Sequence, residues 1–114
     1  MKNEIKPVVI TCGDPAGVGP EVAVSAWKAL KEEIPLCLII DPQFLPSDIN
    51  IKILSEPPNS KDIENNTLTV INQKFGDNRT VGEPNPRHAG AIIKVVERAV
   101  QFAKTGKCSA ICTM

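Results

Sequence analysis

The residues of this chain whose types and spacing could do chemistry are gathered in Thr11-Cys12-Gly13-Asp14-Pro15-Ala16-Gly17-Val18-Gly19-Pro20-Glu21. Glycines let a backbone turn tightly and approach a bound molecule closely. A helix beginning just after them presents N–H groups that no upstream carbonyl can satisfy. The spacing is Gly-x-x-x-Gly-x-Gly. It is neither the GxGxxG dinucleotide fingerprint nor the GxxxxGK[ST] phosphate loop, because Pro20-Glu21 stands where a lysine and a hydroxyl residue are required. Asp14 and Glu21 would also repel a phosphate laid directly on the segment. Its acceptors suit a ribose hydroxyl, a substrate hydroxyl or an amide. The same residues also fit a glycine-rich turn in which Asp14 merely satisfies backbone donors.

Other candidates carry less. His88 is the single histidine and lies in Pro86-Arg87-His88-Ala89-Gly90 at a predicted helix start, a surface or capping position rather than that of a catalytic base. Arg79, Arg87 and Lys94 could meet a phosphate, but a solvated helix face accounts for all of them. Cys12, Cys37, Cys108 and Cys112 sit in or beside apolar runs, and Cys108 and Cys112 lack the CxxC spacing of zinc and redox sites. Buried thiols in a reducing compartment are the expectation. No residue is assigned to catalysis or to a metal.

Composition limits what these residues can serve. A chain of 114 residues buries roughly two thirds of its unfolded surface, enough for one core but not for two domains with a cleft between them. The formal net charge is zero, with a slightly acidic first half and a slightly basic second half, which names no polyanionic partner. Trp27, Phe44, Phe75 and Phe102 are the only aromatic residues, so stacking platforms for nucleic acid are missing. No apolar run is long enough to cross a bilayer, and a cytoplasmic location is expected.

The elements that must position the glycine segment are legible on either side of it. Pro7 to Cys12 is a continuous, β-branched run, the pattern of a strand covered on both faces. Pro20 and Glu21 suit the first turn of a helix, whose apolar residues Ala23, Ala26, Trp27, Leu30 and Ile34 share a face before Pro35 closes it. Leu36 to Ile40 is a second apolar run, completing a strand-helix-strand unit. Residues 42–66 read mostly as loop, with a short run from Ile51 to Leu54. Thr67 to Ile71 alternates in the manner of an exposed or edge strand. Ala89, Ile92, Ile93, Val96, Ala99, Val100 and Ala103 predict a second helix with one apolar stripe, ended by Gly106 as a left-handed cap. Residues 108–114 then start a β-type run whose sheet partner the sequence does not specify. The expected class is α/β.

Gly-Asp-Pro-Ala-Gly-Val-Gly-Pro-Glu after a Val-Val-Ile-Thr strand resembles the opening of the 4-hydroxythreonine-4-phosphate dehydrogenases, and Gly82 through Met114 resembles the family's segment before a Pro-Ile-x-Lys motif. The resemblance implies a partial α/β domain spanning 1–114, the N-terminal third of a two-domain dehydrogenase. It would be an incomplete three-layer sandwich like the N-terminal portion of isocitrate and isopropylmalate dehydrogenases. It further implies a homodimer that uses NAD or NADP and a divalent metal to oxidise 4-phosphohydroxy-L-threonine, a phosphorylated hydroxy-amino acid, in pyridoxal phosphate (pyridoxine) biosynthesis. By that analogy Asp14, Ala16, Gly17, Val18 and Gly19 stand on the cofactor side. The family's metal ligands are histidines downstream of Pro-Ile-x-Lys, so none transfers to this chain, which is expected to be inactive alone. The competing expectation is a free-standing α/β ligand-binding module without redox chemistry.

Overall fold

Burial of short apolar runs on both faces dictates the architecture. In the computed structural model, which describes residues 5–114, five parallel strands form one sheet: β1 (Val8–Thr11), β2 (Leu36–Ile40), β3 (Asn50–Leu54), β4 (Thr67–Asn72) and β5 (Ala110–Thr113), in the order β3-β4-β2-β1-β5. Every residue of β2, Leu-Cys-Leu-Ile-Ile, is buried, as its uninterrupted hydrophobicity requires at the centre of a parallel sheet. Helix α1 (Gly19–Leu30) connects β1 to β2, and α2 (Ala89–Lys104) connects β4 to β5. These crossovers run in opposite directions along the sheet, so right-handed connections assign the two helices to opposite faces.

Helix α1 turns Ala23, Val24 and Trp27 into the core, and Trp27 is 4% exposed. Its last turn is followed by Pro35, which cannot continue a helix. Helix α2 ends in a Schellman motif: the Lys107 N–H donates to the Phe102 carbonyl at 2.8 Å and the Gly106 N–H to Ala103 at 3.2 Å, with Gly106 at φ 74°. The apolar residues of α2 divide between two faces. Val95 and Ala99 pack on the sheet, whereas Ile93, Val96 and Val100 point outward and are exposed. One stripe was expected; a 16-residue helix resting on a sheet buries only the narrower half of it.

The middle of the chain corrects the sequence reading most. Thr67 to Ile71 is not an edge: β4 lies between β3 and β2, and Leu68, Thr69, Val70 and Ile71 are buried. The outer strand on that side is β3, whose residues are largely exposed. Thr69 is tolerated inside because the ladder occupies its backbone, and a threonine on a β-strand buries its methyl as readily as valine does. Strand β5, for which the sequence named no partner, pairs with β1, Ile10 lying opposite Cys112. Cys12, Cys37 and Cys108 are buried as expected, but Cys112 on this outer strand is exposed.

Buried Asp41 ties the carboxyl ends of β2 and β4 together. Its carboxylate accepts the Gln43 N–H at 3.2 Å, the Gln43 side-chain amide at 2.8 Å and the Phe75 N–H at 2.8 Å. It caps the 3-10 turn Pro42–Phe44, whose extended N-cap backbone suits a side-chain cap. Three donors make a buried carboxylate affordable.

Candidate functional site

Parallel strands all deliver their following loops to one edge of the sheet, and that edge is where ligands of α/β proteins bind. Here it holds the glycine segment. Gly13 leaves β1 at φ 70°, a left-handed turn that a side chain would strain. The Asp14 carbonyl accepts the Gly17 N–H at 3.0 Å and the Asp14 carboxylate accepts the Ala16 N–H at 2.9 Å, closing a compact turn. Gly19 then passes so close to β1 that a β-carbon there would fall on the Cys12 carbonyl oxygen.

Helix α1 starts at Gly19 without a side-chain cap. Val18 occupies the N-cap at φ −99° and ψ 8°, away from the extended backbone that lets a side chain reach back to the first N–H groups. The entrance opens on a hollow of about 280 Å³ lined by Cys12, Gly13, Asp14, Gly17, Val18, Gly19, Val22 and Met114. Of the residues singled out from the sequence, Asp14, Gly17, Val18 and Gly19 meet there. Ala16 does not: it is buried, and its carbonyl accepts the Gly82 N–H at 2.7 Å. Sequence reasoning missed Met114, whose backbone oxygen stands 2.6 Å from where a Gly13 β-carbon would be, because only the β1–β5 pairing brings it near.

The hollow is mostly apolar, with Val18 and Val22 exposed on its rim, and its polar edge is the backbone of the glycine turn and Asp14. Its one thiol, Cys12, is buried, and that burial pushes its pKa up to about 12, disfavouring the thiolate. Among the described residues no group of three or more His, Cys, Asp or Glu could hold a metal ion, so the divalent metal implied by the resemblance has no fitting ligand set here. A larger groove of about 420 Å³ follows the first turn of α1 past Phe44, Leu45 and Pro46. Glu21, Ser25 and Arg79 give it the more polar wall of the two.

Arg79 contradicts its expected solvated helix face, and His88, although it takes the N-cap position of α2, is neither on the surface nor a side-chain cap. Arg79 is not on a helix. It reaches from the β4–α2 connection to donate to the Pro15 carbonyl at 3.1 Å and to both carboxylate oxygens of Glu21, with its side chain 15% exposed. That hydrogen bond holds Glu21 below the usual glutamate range. His88 is 1% exposed. Its Nε2 lies 2.8 Å from the Asp77 carbonyl, which makes it the donor, and its ring stands edge-on to Phe44 and Phe75. Two segments away from it in sequence, at Phe44 and at Phe75 to Asp77, meet on its ring, which local context could not signal. Arg87 does remain exposed, paired with Asp77 at 3.2 Å.

Fold and site together define a parallel α/β domain with an uncapped helix entrance beside its first strand. The chain is 38% identical over 113 residues to the 4-hydroxythreonine-4-phosphate dehydrogenase of Roseobacter denitrificans, covering 99% of this chain and 35% of that one. It is 36% identical over 113 residues to the enzyme of that name from a Ruegeria species, with the same coverage. The crystal structure of a 4-hydroxythreonine-4-phosphate dehydrogenase from Burkholderia phymatum superposes with a TM-score of 0.81 at 26% identity, over 97% of this chain and 36% of that one. The chain belongs to the 4-hydroxythreonine-4-phosphate dehydrogenase family, and it spans about a third of the length of the curated relatives it matches. No family model matches it.

Proposed function

We propose that this chain is the N-terminal third of an NAD- or NADP-dependent dehydrogenase that oxidises 4-phosphohydroxy-L-threonine in pyridoxal phosphate biosynthesis, and that its glycine loop forms part of the nicotinamide-cofactor side of the site. In this reading the complete protein has two domains, is a cytoplasmic homodimer, and resembles the isocitrate and isopropylmalate dehydrogenases in fold. The observation that carries the reading is the uncapped entrance of α1 opening on the hollow at the carboxyl end of β1. The Val18 and Gly19 N–H groups would donate to the cofactor, and Asp14 would accept from a ribose hydroxyl. Val18 and Val22 would exclude water from an apolar ring face. When bound, the nicotinamide supplies the hydride acceptor. Because the described residues hold no fitting metal ligands, the 114-residue chain alone is expected to bind cofactor without turning it over.

An NADH titration of the labelled chain followed by amide chemical shifts tests this. Saturable perturbations centred on Gly13, Gly17 and Gly19, with no NAD reduction when 4-phosphohydroxy-threonine and a divalent metal are added, are the expected result. Perturbations scattered away from the loop, or turnover by the chain alone, would overturn it.

A further inference from the structure

We propose that Arg79 is the positioning residue of the glycine loop, a planar fork that fixes the distance between the middle of the loop and the first turn of α1. Its functional consequence rests on reading the hollow as the cofactor side of the site. One guanidinium holds three oxygens: the Pro15 carbonyl at 3.1 Å, inside the loop, and the two carboxylate oxygens of Glu21, on the helix. Three residues further on, the Gly82 N–H adds a fourth contact, to the Ala16 carbonyl at 2.7 Å. These two grips are held at a set spacing, because Thr80 and Glu83 close a tight turn between them with the Glu83 N–H 3.0 Å from the Thr80 carbonyl. The carbonyls of Pro15 and Ala16 are thereby occupied from the β4–α2 connection, and the same arginine reaches the first turn of α1.

Magnitudes separate a positioning role from a merely stabilising one. The Glu21 side chain is 53% exposed, so its ion pair adds little to global stability. The arginine is 15% exposed and its fork geometry is what the three oxygens require. Nη1 alone bridges Pro15 and one Glu21 oxygen, and Nη2 takes the other, so a lysine could stand in for Nη1 but would lose the second arm of the fork. Removing Arg79 should therefore loosen the loop locally while the sheet keeps its stability.

The test uses the 114-residue chain as wild type, Arg79→Lys and Arg79→Ala, followed by amide hydrogen exchange, thermal midpoint and NADH titration. Expected for Arg79→Ala is exchange about tenfold faster at Gly17 and Gly82, whose N–H groups are bonded within and onto the loop, with Leu38 and Val70 unchanged. The dissociation constant for NADH should rise about tenfold at an unchanged thermal midpoint. Arg79→Lys should restore both only in part, because one ammonium can replace the Nη1 contacts but not the Nη2 contact. Exchange at Gly17 and Gly82 within twofold of wild type, uniform acceleration that includes Leu38 and Val70, or full rescue by lysine would each overturn the proposal. A wild-type chain that shows no NADH response sinks the cofactor reading instead, and the exchange rates and the lysine variant still decide for or against Arg79.

Discussion

The entrances of α1 and α2 are both reached over polar, glycine- and proline-containing connections from the carboxyl edge of the same sheet, yet what surrounds them differs. Ahead of α2, Asn85 is extended at φ −109° and ψ 116°, and its side chain accepts the Arg87 N–H at 2.9 Å while its carbonyl accepts the His88 N–H at 2.9 Å. His88 plugs the space beneath against two phenylalanine rings. Helix α2 itself starts without a side-chain cap, Asn85 capping the 3-10 turn Pro86–His88 that runs into it; α1 also starts without a side-chain cap, and beside it lies the hollow. One entrance is thus closed over by a capped turn and a buried ring, and the other lies beside a cavity.

Glycine substitutions should separate the two entrances most sharply. At Gly19 a β-carbon falls on the Cys12 carbonyl oxygen, so Gly19→Ala should cost about 3 kcal/mol in urea unfolding, because β1 or α1 must shift. At Gly90, in the first turn of α2, a β-carbon meets nothing within 4 Å, and Gly90→Ala should stabilise by about 0.5 kcal/mol. Equal effects at the two positions would dissolve the contrast between a crowded, site-forming start and an open, structural one.

Capping gives a smaller and complementary signal. Asn85→Ala should destabilise by about 1 kcal/mol, the usual cost of a lost N-cap. Val18→Asn should gain less than about 0.5 kcal/mol, because ψ 8° holds its side chain away from the first N–H groups. A gain as large as the Asn85 loss would show that the α1 entrance is open through residue choice alone, not through its backbone.

Acid should produce the smallest difference, and here the entrances behave alike. Glu21 is held below its usual range by the hydrogen bond from Arg79, and Asp77 by hydrogen bonds from Asn85 and Arg87. Carboxylates depressed in the folded state add stability that is present above their ordinary range and is lost as pH falls through the lowered values. Stability should therefore decline on acidification below the carboxylate range. Glu21→Gln and Asp77→Asn should each flatten part of that decline, and an unchanged slope in both variants would show that neither pair matters to folding.

The extent to which these regions were legible follows from how local their causes are. β1, β2 and both helices announce themselves through apolar runs, helical spacing and flanking Pro20, Pro35 and Gly106, all of which act within a few residues. The α1 entrance was legible for the same reason, and four of the five residues singled out there line one hollow. Strand order is not local. Thr67-Leu68-Thr69 alternates whether it lies at an edge or inside, so only pairing with both β3 and β2 reveals that β4 is interior. Arg79 and His88 were misjudged because their partners, Pro15 and Glu21 for one, Phe44 and Phe75 for the other, are brought to them by that same order.

Pairing of β5 with β1 has a consequence for the timing of assembly. Ile10 and Cys112 are neighbours in the sheet but nearly a whole chain apart in sequence, and Met114 closes the wall of the hollow beside Gly13 and Gly19. Contacts of such long separation form late, because the entropy of closing so large a loop must be overcome before they return any stability. A nascent chain emerging from the ribosome can therefore assemble β1, α1 and β2 early, but the hollow acquires its Met114 wall only when β5 docks.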